Sequence, residues 1–275
     1  MFRLRWLIVS SLAAAIAYPL FIEGLWLETT ETRIELAGLK RPVRVLHLSD
    51  LHLGDHPGLE QLEEIARGAI ANRPDVICLT GDYVEGHFAL KQPLERVIRI
   101  LASAAPVYAV MGNHDGGVWA AGVAGDKSSE PVRRRLEQGG ATVLHNRWRK
   151  ITIRGQELLL VGLGDRWSEE DDAAAAFRDA PAGLPTVVLA HNPDTKDRIA
   201  DRPWQLMLAG HTHGNQVNLP FYDESWATVV DHRFIAGHYH WNGRQLFINR
   251  GIGGVKGIRF RSRPEISILE LVPRV

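Results

Sequence analysis

The sequence predicts an α/β fold in which two packed β-sheets are flanked by helices. Three observations support this. Short apolar runs alternate with helix-like patterns, the runs are more numerous than one compact sheet takes, and polar residues gather directly after them. In order, residues 43–48 read as a buried strand, 59–71 as an amphipathic helix, 76–79 as a second strand, 90–102 as a second helix and 107–110 as a third strand. Later strands are expected over 157–163, 187–190, 206–208, 246–249 and 266–271, with a helix over 171–177. Ser49-Asp50, Gly81-Asp82, Gly112-Asn113-His114-Asp115, His191-Asn192 and Gly210-His211 each follow one of these strands. Ligands of open α/β sheets bind beyond the carboxyl ends of the strands, so these loops should converge on one place.

A chain of 275 residues, 45% hydrophobic, suffices for one large core. We expect one catalytic domain over 42–275, preceded by a connector over 24–41. Thirty-two basic and 32 acidic side chains cancel, so the chain lacks the overall attraction that nucleic-acid binders use, and nucleic acid is not expected as a partner. The single cysteine, Cys78, sits in an apolar run and reads as a core thiol, and no disulfide can form within the chain.

Residues 6–22 carry no charge, follow Arg3 and Arg5, and precede Glu23, Glu28 and Glu31. An uncleaved anchor over 1–23, a cleaved signal peptide and a buried helix compete for this stretch. Ala15-Ile16-Ala17 resembles a cleavage site, but Pro19 and the bulky residues after it fit cleavage poorly and favour the anchor. The cationic end would stay in the cytoplasm, placing the domain outside the cytoplasmic membrane, although Lys40, Arg41 and Arg44 pull the other way.

Asp50-Leu51-His52 puts a carboxylate and an imidazole two residues apart, on one side of an extended segment, where they can share a metal. Asp82 has two oxygens and can offer one to each of two cations. By itself Gly81-Asp82 is only a strand followed by a turn. Gly112-Asn113-His114-Asp115 presents an amide, an imidazole and a carboxylate around a tight turn. Gly210-His211-Thr212-His213-Gly214 alternates two imidazoles between glycines and is the strongest single motif, whereas His191 alone also fits a structural role.

Outside these motifs, His47 reads as a core residue, and His238 and His240 as ordinary strand positions. Arg259, Arg261 and Arg263 alternate, as on a solvated strand face, with a phosphate or head-group contact as the alternative. Trp119, Trp167, Phe221, Tyr222 and Trp226 fall in loops. There they either pack on the domain or form an apolar wall for a lipid chain.

Taken in order, Asp-x-His, Gly-Asp, Gly-Asn-His-Asp, His and Gly-His-x-His resemble the calcineurin-like metallophosphoesterase superfamily. Ser49 to Gly54, Gly162 to Trp167, His191 to Asp194 and Asn249 to Gly253 are similar to its bacterial membrane-anchored branch, called YkuE-like or YaeI-like. Asn215 departs from it, since Gly is common there. The resemblance implies a four-layer α/β/β/α sandwich and two divalent metal ions. Asp50, His52, Asp82 and His213 would hold one ion, and Asp82, Asn113, His191 and His211 the other. Mixed imidazole and oxygen ligands suit manganese, iron or zinc. His114 would contact the phosphoryl oxygen or protonate the leaving oxygen, with Asp115 fixing its tautomer. Trp167, Phe221 and Trp226 are candidate substrate contacts. The implied reaction is hydrolysis of a phosphodiester or pyrophosphate bond, in a lipid-linked or nucleotide-sugar substrate such as UDP-diacylglucosamine. A phosphomonoesterase or protein phosphatase is the enzymatic alternative, and a non-catalytic scaffold the remote one.

Overall fold

The computed structural model describes residues 17–19, 22–54, 57–85, 93–118, 126–222 and 224–274. The expected hydrophobic helix over 1–23 therefore lies almost wholly outside the described residues. Among those residues, no helix is long and apolar enough to cross a membrane.

In chain order the strands are β1 (Glu28–Leu36), β2 (Val43–Leu48), β3 (Val76–Thr80), β4 (Val107–Val110), β5 (Ala141–Val143), β6 (Arg147–Ile153), β7 (Gln156–Gly162), β8 (Thr186–Leu189), β9 (Leu206–Ala209), β10 (Gly237–Trp241), β11 (Arg244–Ile248) and β12 (Glu265–Pro273). They form two mixed six-stranded sheets, ordered β1-β12-β2-β3-β4-β5 and β10-β11-β9-β8-β7-β6. β2 to β5 run parallel, as do β7, β8, β9 and β11, while β12 pairs antiparallel with β2. Every residue of β3, β4, β8 and β9 is buried, as expected of parallel strands covered on both faces.

The inner faces of the sheets meet through Ile34, Val45, Cys78, Val110, Leu160, Val187, Leu208, Phe247 and their neighbours. Burial there pushes the Cys78 thiol up to about 12, in keeping with a core role. The outer face of the first sheet is covered by α1 (Leu59–Ile70), α2 (Leu94–Ala102) and α3 (Glu130–Gly139). α2 buries Leu94, Val97, Ile98 and Leu101, the one-sided spacing of an amphipathic helix.

Several features differ from the expectation, which had no element at α3, β5 or β6. Within the stretch read as a connector, Glu28–Leu36 is a strand paired in parallel with β12, its Ile34 and Leu36 alternating inward from the sheet edge. The helix expected over 171–177 contracts to α4 (Ala173–Ala176), capped by Asp172, which accepts the Ala175 N–H at 2.9 Å. The outer face of the second sheet is accordingly covered by α4, the equally short α5 (Thr195–Arg198) and loop side chains such as Phe177, Trp204 and Phe234, not by long helices.

Candidate metal centre

The loops after β2, β3, β4, β8 and β9 turn sharply. Asp50, His52, Asp82, His211 and His213 all adopt positive φ, between 45° and 70°. This region costs a non-glycine residue of order 1–3 kcal/mol, and such strain gathers at functional sites. The loops also press together: a Cβ on Gly210 would lie 1.9 Å from Ser49 Oγ and 2.3 Å from Asp50 Oδ2. Gly81, at φ +91°, leaves room for His191, whose Nδ1 would lie 2.8 Å from a Cβ there.

Two donor sets result. Asp50, His52 and His213 form one, with His52 Nε2 3.9 Å and His213 Nε2 3.5 Å from Asp50 Oδ1. Asp82, His191 and His211 form the other; His191 Nε2 stands 3.1 Å from Asp82 Oδ2, from Asn113 Oδ1 and from His211 Nδ1. Asp82 Oδ2 is also 3.7 Å from His52 Nε2, so one oxygen faces both sets. All seven residues expected as metal ligands are thus brought together.

The outer ring nitrogens are satisfied. His52 Nδ1 donates to Glu85 Oε2 at 2.9 Å, His191 Nδ1 to the Thr80 carbonyl at 2.7 Å, and His211 Nε2 to the Thr228 carbonyl at 3.1 Å. Each bond leaves the inner nitrogen lone pair for a cation. His52 Nε2 is buried without a hydrogen-bond partner and faces the gap between Asp50 and Asp82. This orphaned nitrogen, beside a mixed imidazole and carboxylate set, fits a transition-metal ion. His213 differs, because its Nδ1 faces the Arg259 guanidinium at 3.3 Å.

Electrostatics point the same way. Burial opposes the charged forms of both Asp82 and His191, yet each offsets that for the other. Asp82 is held well below the usual carboxylate range and His191 well above the usual imidazole range. Without a cation, a proton stands where positive charge is wanted. His211, penalised by burial and then by the charge on His191, drops to about 3 and offers a neutral ring.

His114 lies beside this cluster, but Asp115 does not orient it. Asp115 turns inward, its Oδ2 accepting the N–H groups of Asp82 at 2.9 Å and Gly112 at 2.8 Å and its Oδ1 that of Tyr83 at 2.7 Å. It braces the turn that presents Asp82. The partner of His114 is Glu85, whose Oε2 lies 2.8 Å from His114 Nδ1 and also receives His52. The usable signal was a carboxylate three positions after Asp82, in a segment that the Leu53–Val84 bridge lays beside the Asp50–His52 loop.

Other expectations divide. The Trp167 ring stands edge-on to His211 with centroids 4.7 Å apart, so it borders the site. Phe221 is fully exposed, and Trp226 stacks on Tyr222 at 5.3 Å; their loop is tied by the Ser225 hydroxyl and the Ala227 N–H to Asn215. Trp119 lies outside the described residues. His47 is buried against Thr80 Oγ1 at 2.9 Å, and burial lowers it to about 3. His238, on β10, bonds Gln245 at 3.0 Å. Arg259 is not on a solvated face: it is buried, donating to the carbonyls of His213 at 3.0 Å and Arg250 at 2.8 Å and to that of Gly253. Its guanidinium locks two site loops together, which alternation in the sequence does not reveal.

The pattern of the calcineurin-like phosphoesterases matches residues 43–242. The chain is 36% identical over 264 residues to Phosphodiesterase YaeI of Escherichia coli (strain K12), covering 94% of each. It is 27% identical over 261 residues to the metallophosphoesterase YkuE of Bacillus subtilis (strain 168), covering 92% of this chain and 88% of that one. It is also 27% identical over 276 residues to the UDP-2,3-diacylglucosamine pyrophosphatase LpxG of Chlamydia muridarum, covering 82% and 83%. Together with the clustered donors, these matches establish that the chain belongs to the calcineurin-like phosphoesterase family of metal-dependent phosphoester hydrolases.

Proposed function

We propose that the chain is a dinuclear phosphohydrolase that cleaves a phosphodiester or pyrophosphate bond in a lipid-linked or nucleotide-sugar substrate such as UDP-diacylglucosamine. The observation that carries this reading is the position of Asp82 Oδ2, 3.1 Å from His191 Nε2 and 3.7 Å from His52 Nε2, between two sets of donors. Asp50, His52, Asp82 and His213 would hold one ion, and Asp82, Asn113, His191 and His211 the other, as manganese, iron or zinc. Two such ions supply Lewis-acid charge that activates water and offsets the charge building at phosphorus.

The chain's own groups do the rest. His114, its Nδ1 2.8 Å from Glu85 Oε2, is placed to deliver a proton to the leaving oxygen; in the metal-free chain burial works against the charged ring, but Asp82 and Glu85 outweigh it and raise it to about 9. Glu85 sets the orientation of His52 and His114 at once. Trp167 walls the site beside His211. Exposed Phe221 and Trp226 support an acylated substrate, and the activities in the names of YaeI and LpxG support a diester or pyrophosphate bond. Residues 1–23 would anchor the chain in the cytoplasmic membrane, with Arg3 and Arg5 keeping the amino terminus inside and the domain outside.

Chelator-stripped protein, reloaded with manganese, ferrous iron or zinc, should regain hydrolysis of a bis-aryl phosphate faster than that of the mono-aryl ester. Preference for the monoester would replace the reading with a phosphomonoesterase, and activity indifferent to chelation would end it. Assay of UDP-diacylglucosamine against glycerophosphodiesters then tests the substrate class.

A further inference from the structure

We propose that the folded domain carries its own docking face for an anionic lipid bilayer, made of two apolar prongs with arginines between them. Large exposed hydrophobic side chains are few among the described residues, and most fall into two segments: Ile22, Leu25 and Trp26 in one, Leu219, Phe221, Tyr222 and Trp226 in the other. Leu25 is 58%, Trp26 50% and Trp226 58% exposed, and Phe221 is fully so.

The segment 258–263 joins the two prongs. On one side Phe260 exchanges backbone hydrogen bonds with the strip leading to the second prong, donating to the Gln216 carbonyl and accepting from the Asn218 N–H, both at 2.9 Å. On the other side Arg259 N–H donates to the Pro19 carbonyl at 3.1 Å, Ser262 N–H donates to Glu23 Oε1 at 2.8 Å, and the Arg263 guanidinium lies 3.6 Å above the Trp26 ring. Both prongs are therefore tied to this one segment.

Charge selects the occupant. Arg261 is exposed between the prongs with no ion pair among the described residues, and Arg263 is half-buried beside it. Among the described acids nearby, Glu23 is buried on the Ser262 amide and Glu28 and Glu265 pair with Arg250, while Glu224 accepts from the Tyr222 hydroxyl and has no ion pair among the described residues. Apolar side chains that enter the acyl boundary around cations that meet phosphate are what an anionic bilayer surface binds. Beside the first prong an apolar cleft of about 340 Å³ is bounded by Leu25, Leu27, Ile65, Ile252, Ile258 and Pro264, room for part of an acyl chain. The uncharged run at 6–22 also reaches the described domain here, at Tyr18, whose ring contacts Phe260.

The face adjoins the candidate metal centre, since Arg259 beneath it reaches His213 and Gly251 abuts Asp50. Docking would set the site at head-group height. This proposal goes beyond the hydrolase reading, and its test does not use turnover as its readout.

The full chain, with a nitroxide on Leu219→Cys or Phe221→Cys in the prong remote from the amino-terminal run, is reconstituted into vesicles of phosphatidylcholine alone or with phosphatidylglycerol. Cys78 is buried and stays in place. A label on Arg154→Cys, in the β6–β7 turn at the strand ends remote from the metals, is the reference. Both prong labels should gain oxygen accessibility and lose nickel-chelate accessibility in the anionic vesicles, while the reference stays aqueous. Joint Arg261→Glu and Arg263→Glu should abolish that shift while retaining the parent's circular dichroism spectrum and urea midpoint, which shows that the variant folds. Prong labels that stay as aqueous as the reference, or that bury equally on both vesicle types, overturn the proposal.

Discussion

Replacing Glu85 by Gln tests whether one carboxylate supports both the metal centre and the acid. The substitution keeps the volume and removes the charge. Glu85 Oε2 lies 2.9 Å from His52 Nδ1 and 2.8 Å from His114 Nδ1. Burial pushes its carboxyl up, but the close approach of His114 and the hydrogen bond from His52 outweigh this and bring it down to about 2. An outer carboxylate behind a metal-ligating imidazole is worth about 10–100-fold in metal affinity or activity, or about 1.4–2.8 kcal/mol. Glu85→Gln should lose that much affinity at the His52 ion. His114 should also lose one of the two carboxylates that raise it, so the alkaline limb of the kcat profile should move to lower pH. Metal titration by calorimetry and kcat against pH on a bis-aryl phosphate read the two effects separately. Metal affinity within about twofold of the parent, with an unmoved alkaline limb, would refute the dual role.

His114→Ala should lower kcat by about 10²–10⁴-fold with both metals retained by elemental analysis; an emptied site would make His114 a ligand instead. Gly210→Ala forces a methyl group into Ser49 Oγ and Asp50 Oδ2, so urea denaturation should show a loss of about 1–3 kcal/mol together with weakened metal binding. Because Asp82 raises His191 against the effect of burial, a cation must displace its proton. Apparent metal affinity should therefore fall about tenfold for each pH unit below that proton's pKa, and a flat pH dependence would contradict the assigned ligand. In chelator, His114, raised to about 9 from 6.5, contributes stability that is complete below 6.5 and lost as pH rises through about 9. Urea midpoints across that window should fall, and the His114→Ala midpoint should fall less.

The parallel strands and the meeting of the seven expected donors at one place were legible in the sequence for the same reason. A strand buried on both faces must be a continuous apolar run, and the polar residue that ends it must sit at the sheet's carboxyl edge, where ligands bind. Val76–Thr80 followed by Gly81-Asp82, and Leu206–Ala209 followed by Gly210-His211, carry both facts within a few residues. What distant segments do to one another was not legible. Glu28–Leu36 becomes a strand because β12, more than two hundred residues away, pairs with it, and no local pattern announces that register. Asp115 adjoins His114 in the chain, yet three backbone amides claim it, leaving His114 to Glu85. Arg259 looks like one of three alternating surface cations until the loops of His213, Arg250 and Gly253 close around it. Sequence thus determined which donors exist and at which strand ends they stand, since both follow from local covalent order and burial. Only the tertiary structure decided which acceptor each donor meets, because that depends on the approach of loops brought together by sheet packing.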